Sequence, residues 1–351
     1  MRQSKFTILF IVFKYRAKLF LPPKLWNLIY KFSIKKYFDQ RKYQEQSHIT
    51  SKQEPKFFVI RRRPPGAGLF SNVAQVIQGI IRAESIKSQS ELIPIVDFEN
   101  YFMDEMHCLA NFPAKSNSWT HYFLQLAPYE LDDIYKNHSY ILSGEKFSND
   151  AFMLRKNLDW VFDENKFRLV SRVIEENIQP NFYLQEKISK WKELIEWKPQ
   201  STLALGVRGG TYVKYKYSGH PVQPSINEVI PEVENYLNRY AIDKIYLQTH
   251  DYKIYEDLKR RFGGKILKSY SMSEYDSLFD FERRAPKDRP NHWDKVPKLS
   301  FEANYRYLID VFLMSEANFF ISALTNGTAF ALAKNGKKFV DFTILKHGYY
   351  E

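Results

Sequence analysis

Apolar positions in this chain of 351 residues follow two alternating periods. Short runs of β-branched and large apolar side chains include Phe57-Phe-Val-Ile60, Leu92-Ile-Pro-Ile-Val96, Leu203-Ala-Leu-Gly-Val207, Ile245-Tyr-Leu247 and Phe319-Phe-Ile-Ser322. Each leads into turn residues and then a longer stretch with helical spacing. Strand-sized runs alternating with amphipathic segments predict an α/β protein whose parallel strands are joined by crossover helices. Ser71 or Asn72 is placed to cap a helix reaching about Glu84, and residues 129–196 read as mostly helical, with Trp160, Trp191 and Trp197 as packing residues. Gln44 to Pro55 reads as a polar linker, Pro199 closes the first half, and Arg283 to Pro297 reads as a charged loop. The expected organisation is a segment 1–50, a first Rossmann-like domain 51–199 and a second, ligand-carrying one at 200–351.

In parallel sheets of this type, ligands bind beyond the carboxyl ends of the strands. Those ends are where Gly206 and Arg208, Thr249-His-Asp251 and Thr325-Asn-Gly-Thr328 fall. The chemistry suits a diphosphate. A loop of small residues entering a helix presents backbone N–H groups and the positive end of the helix dipole. Thr325, Asn326 and Gly327 supply that loop, and Gly327 lets a ligand approach the backbone. Arg208 adds a permanently charged planar fork that grips phosphate oxygens in two places. Asp310, read as early in its helix, has two roles open: complementing the helix dipole, or accepting hydrogen bonds from a guanine. His220, before Pro221, is either a group acting near the acceptor or a structural residue.

Composition narrows the class. Aromatic residues are 17% and apolar residues 44% of the chain, which excludes a disordered polymer. The lone Cys108 forms no intramolecular disulfide and points to a reducing, cytoplasmic setting, in which the glycosylation triplets at Asn137 and Asn326 are chance matches. No zinc-ligand spacing occurs, so no metal is expected. The net charge of +12 is concentrated at the start, where residues 1–45 carry eleven Lys/Arg against Asp39 and Glu45. The apolar run Phe6–Phe13 is far below the roughly 20 residues of a membrane span. A basic segment interleaved with Phe, Leu and Trp suits peripheral attachment to an anionic membrane. A solvated helix packing on the domain is the alternative, and nucleic acid is disfavoured because no reading motif occurs.

These motifs, in their order and spacing, resemble the fucosyltransferase superfamily, in particular the α-1,6-fucosyltransferase and nodulation fucosyltransferase group. Arg208 and His220-Pro221 keep the family's interval of twelve residues, and Gln248-Thr-His-Asp251 is similar to its Ala-Thr-Asp-Asp strand end. Asp310 to Gly327 resembles its aspartate-led helix, apolar strand and Ser/Thr-rich loop. Gly66-Ala-Gly68 and Trp119-Thr-His-Tyr122-Phe123 resemble its glycine-rich turn and its Trp-x-x-Tyr-Phe motif. The resemblance implies a GT-B fold, two facing Rossmann-like domains with a cleft between them. It also implies inverting transfer of fucose from GDP-fucose to a glycan hydroxyl. Arg208 and His220 are the implied catalytic residues, and Gly206, Arg208, Thr249, Asp251, Asp310, Thr325, Asn326 and Gly327 the implied nucleotide-sugar contacts. The chain departs from the family at Gly209-Gly-Thr211, where an aspartate is missing, and at Lys216, which stands where close relatives carry a glutamate. A lysine serves as a base only if its pKa falls well below about 10.4. An inactive sugar-nucleotide-binding protein, or a transferase using another GDP-sugar, therefore stays open beside the fucosyltransferase reading.

Overall fold

The computed structural model describes residues 46–48, 56–62, 68–86, 91–98, 117–144, 158–209, 213, 216, 219–249, 251–273 and 296–351, with side chains not described at 46–48, 272–273 and 296–303. The basic segment 1–45, Gly66, Cys108, Thr211, His250 and most of the loop expected at 283–297 lie outside them.

The described chain divides into two units, each an α/β arrangement built on largely parallel strands, as the alternating periods predict. The units are Met1–His121 with Gln125–Ala151 and Glu282–Phe301, and Tyr122–Leu124 with Phe152–Phe281 and Glu302–Glu351. In the first, strands β1 (Gln46–His48), β2 (Phe57–Arg62), β3 (Ile93–Phe98) and β4 (Tyr140–Leu142) line up as β1-β4-β2-β3. β4, β2 and β3 run parallel, and β1 is antiparallel at the edge. β1 lies within the stretch read as a linker; a short polar strand is what an exposed sheet edge tolerates, and its backbone pairing is invisible to an apolar pattern. Helix α1 (Leu69–Ser85) joins β2 to β3, and α2 (Leu131–Asn137) precedes β4. Phe57, Val59, Ile95, Ile134 and Leu142 form a core cluster between sheet and helix. The open edge of β3 is satisfied by side chains: Asn117 and Gln125 donate to the Val96 carbonyl and accept from the Phe98 and Val96 amides.

The first α-helices of the second unit are α3 (Glu164–Asn177) and α4 (Phe182–Leu194). Both helices lie in the stretch expected to belong to the first domain, before the boundary expected at 199 and 200. α3 packs against a helix late in the chain, and Leu124 N–H and Asn181 N–H bond to Gln179 O and Tyr122 O at 2.9 Å. Its sheet holds β5 (Thr202–Gly206), β6 (Lys244–Gln248), β7 (Ile266–Lys268), β8 (Phe319–Ala323) and β9 (Asp341–Leu345), all parallel, in the order β7-β6-β5-β8-β9. The connecting helices are α5 (Ile226–Arg239), α6 (Tyr252–Phe262), the short α7 (Tyr270–Ser273), α8 (Val296–Met314) and α9 (Asn326–Asn335). β5 and β8 are buried on both faces, hence their continuous apolar runs. Leu203, Leu205, Val229, Val233, Ile245 and Leu258 form one core cluster between this sheet and α5 and α6. The charged loop ends earlier than expected, because Pro297 sits in the first turn of α8, where a missing N–H costs nothing.

Strand order locates the site. From β5 the chain moves outward to β6 and β7, then returns to the other side of β5 for β8 and β9. The direction of winding reverses between β5 and β8, and in sheets of this type ligands bind beyond the carboxyl ends of the strands at that point.

Candidate functional site

Arg208 stands two residues past β5 and Thr325 two past β8, so the reversal point is flanked by a guanidinium and a helix start. Thr325 caps α9. Its Oγ1 accepts from Thr328 N–H at 3.1 Å, while Thr325 N–H donates to Thr328 Oγ1 at 2.8 Å. This reciprocal box fixes the first turn of α9 and takes up the amides of residues 325 and 328. The amides of Asn326 and Gly327 lie between those two in the same first turn. Asn326 is part-exposed, whereas Gly327 and Thr325 are buried.

His220 is brought beside Arg208. Burial lowers its pKa below the usual histidine value, and the Arg208 charge lowers it further. Its backbone is clamped: Tyr350 N–H donates to His220 O at 2.9 Å, Gly219 N–H to Tyr350 O at 2.7 Å and Val222 N–H to Gly348 O at 2.9 Å. Lys216 is exposed, with φ at 45°, and so lacks the burial a catalytic lysine needs.

Three expected contacts have other work. Asp310 is not early in its helix. It lies near the end of α8 and is fully buried. Its Oδ1 accepts from Tyr246 OH at 2.6 Å and Tyr270 N–H at 2.7 Å, and its Oδ2 from Ser271 N–H at 3.2 Å. Both oxygens thus hold the start of α7, and the position of Asp310 near the end of α8 removes the helix-dipole reading. Burial, opposed by these bonds, pushes the Asp310 carboxyl up to about 6. Thr249 is fully buried, and its hydroxyl accepts Asp251 N–H at 3.1 Å, which shapes the turn after β6. Gly206 is a packing glycine: a Cβ there would lie 2.5 Å from Ser322 Oγ and 3.0 Å from Met314 Cε.

Asp251 caps α6 through Lys253 N–H at 2.9 Å. Its carboxylate also fills the space beside Gly209, where a Cβ would lie 2.4 Å from Asp251 Oδ2. Gly209 is thereby explained as the residue that lets the chain leaving β5 pass the α6 cap. Sequence reasoning missed Gln223, a buried amide that donates to Pro221 O at 3.1 Å and to Leu324 O at 3.4 Å. No local pattern marks it, since Leu324 is far away in sequence. Among the described residues no cluster of His, Cys, Asp and Glu has the makings of a metal site.

The packing role of Gly206 has a measurable consequence. Gly206→Ala should lower stability by about 1–3 kcal/mol, because the added methyl displaces the Ser322 hydroxyl from Gly206 O. Adding Ser322→Ala should recover most of that loss in a denaturant-unfolding cycle. Absence of recovery would place the clash elsewhere.

No family model matches the chain, and no curated protein does. Among solved structures, the chain is similar to the fucosyltransferase NodZ from Bradyrhizobium, with 12% identity, 80% of this chain and 92% of that chain covered, and a TM-score of 0.43. It is also similar to NodZ α-1,6-fucosyltransferase soaked with GDP-fucose, with 11% identity, the same coverage and a TM-score of 0.44. POFUT1 in complex with GDP-fucose is similar at 8% identity, with 84% of this chain and 98% of that chain covered and a TM-score of 0.40.

Proposed function

We propose that this protein is a glycosyltransferase that binds a nucleoside-diphosphate sugar at the β5–β8 reversal point and transfers fucose from GDP-fucose to a glycan hydroxyl. The observation that carries the reading is the meeting of Arg208 and the Thr325-capped first turn of α9 at the carboxyl ends of adjacent parallel strands. The fucosyltransferase-like spacing of Arg208, His220 and the Thr325–Gly327 turn supports the choice of sugar and base. The unit with the four-stranded sheet is read as the acceptor-side domain.

In the proposed reaction, the bond between the sugar C1 and the β-phosphate oxygen breaks, and its electron pair leaves with GDP. The acceptor hydroxyl oxygen forms the new bond to C1 on the opposite face and gives up its proton. Arg208 and the α9 turn stabilise the charge gathering on the departing diphosphate. His220, kept neutral near pH 7 by burial and by Arg208, is a group suited to take a proton. Asp251 and Asn326 are retained as contacts to the sugar nucleotide.

Donor hydrolysis followed across GDP-fucose, GDP-mannose and UDP-sugars tests the reading. GDP-fucose should turn over fastest. Preference for GDP-mannose would reassign the sugar, and tight GDP binding without turnover would favour an inactive binding protein.

Among the described residues no helix is long and apolar enough to cross a membrane. We assign residues 1–45 to a peripheral anionic surface on their charge and Phe/Leu/Trp content. Full-length protein should sediment with phosphatidylserine-containing vesicles at low salt, and a chain starting at Ser51 should not. Failure of the full chain to sediment would make the segment a packing element.

A further inference from the structure

We infer that Gln223 is a ligand-binding residue of the proposed donor site, its side-chain oxygen accepting a hydrogen bond from a neutral O–H or N–H group of the bound sugar nucleotide. Gln223 is only 8% exposed. Its Nε2 donates to two carbonyls, Pro221 O at 3.1 Å and Leu324 O at 3.4 Å. Because both partners are acceptors only, they fix which end of the amide is nitrogen. The oxygen on the same carbon is buried and has no hydrogen-bond partner among the described residues.

A buried acceptor left empty is costly, and in a folded protein it calls for an explanation. Its position supplies one. Leu324 is the last residue before the Thr325 cap, and Pro221 follows His220, so the carboxamide bridges both sides of the reversal point. The side chain is also held at a fixed place. Upstream, Gly219–Val222 pairs with Gly348–Tyr350, including an antiparallel bridge between Pro221 and Tyr349. That partner segment is anchored by Tyr349 OH to Asp159 Oδ1 at 3.3 Å and by Lys346 Nζ to the same oxygen at 3.0 Å. Downstream, Ser225 and Glu228 form the capping box of α5. An acceptor presented from so constrained a segment is pre-organised for a donor. An amide oxygen carries no full charge, so it suits a sugar hydroxyl or a base N–H and not the diphosphate, which itself only accepts.

The inference rests on the nucleotide-sugar reading, and the experiment separates the two. Full-length protein and its Gln223→Met variant, which keeps the length and removes the acceptor, are titrated by calorimetry with GDP, GDP-fucose and UDP. A loss of about tenfold for GDP-fucose with GDP unchanged assigns the contact to a sugar hydroxyl. An equal loss for GDP and GDP-fucose, with UDP unaffected, assigns it to the base. Equal affinities of variant and parent for GDP and GDP-fucose overturn the inference while leaving the functional reading intact. A parent that binds neither nucleotide overturns both. Should the variant fail to fold, selective glutamine labelling of the parent decides. The Gln223 side-chain amide resonance should shift on GDP-fucose addition, and an unmoved resonance at saturation overturns the assignment.

Discussion

Asp310→Ala should destabilise the protein by about 3–5 kcal/mol, without any preference between nucleotides. The side chain is the shared acceptor of three donors: Tyr246 OH, Tyr270 N–H and Ser271 N–H. Removing it leaves the Tyr246 hydroxyl and the Ser271 amide buried without this acceptor, while the part-exposed Tyr270 N–H keeps only its longer bond to Tyr246 OH at 3.3 Å. Tyr246 is itself fully buried, receives a bond from Trp191 Nε1 at 3.3 Å and packs edge-on to Trp197, so the loss spreads to α4. A pH series checks the assignment. Burial raises the carboxyl to about 6, against about 3.9 in an unfolded chain. Between those values the folded protein holds a proton that the unfolded chain releases. The stability contributed by this group is therefore fully present below about pH 4 and is lost as pH rises through about 6. Urea unfolding of the parent and of Asp310→Asn should show the parent's margin narrowing from about pH 4 to about pH 7. A variant of normal stability that discriminates GDP from UDP less well would restore the base-reading role.

How much of this was legible follows from which contacts are local. The parallel α/β architecture was, because a strand buried on both faces must be apolar throughout, as Leu203–Leu205 and Phe319–Ile321 are. The start of α9 was also readable, since a small polar loop before Ala329-Phe-Ala-Leu-Ala333 is a local signal. Asp310 was not. Its partners come from β6 and α7, about 40 to 64 residues away in the chain, and an acidic residue in an apolar helix looks the same whether it faces a ligand or a buried amide. Its helix was misjudged as well, because α8 begins at Val296, inside a charged, proline-containing stretch. The residues singled out in the second half of the chain, Asp310 and His220 apart, do fall at strand ends. The glycine, threonine and aspartate among them were assigned to ligand when the fold needed them first. Gln223 is the converse, a polar residue in an unremarked connection whose empty oxygen appears only once β8 is beside it.

Arg208→Ala should weaken GDP binding roughly ten- to a hundredfold, the equivalent of about 1.5–3 kcal/mol for a lost bidentate contact between charged groups. The fold should survive, because Arg208 is part-exposed and lies beyond the last residue of β5. Arg208→Lys should recover only part of the affinity, since an ammonium does not reproduce the planar fork. A second effect runs through His220. The Arg208 charge contributes, after burial, to holding this imidazole below the usual histidine value, so the alanine variant should titrate higher. A bound diphosphate, by countering the same charge, should raise the His220 pKa in the parent too. Binding then takes up a fraction of a proton near neutral pH, and GDP affinity should increase as pH falls toward the histidine range. Calorimetry in buffers of differing ionisation enthalpy reads that uptake, and Arg208→Ala should largely abolish it. Unchanged GDP affinity in the alanine variant, with His220 titrating as in the parent, would show that the diphosphate sits elsewhere.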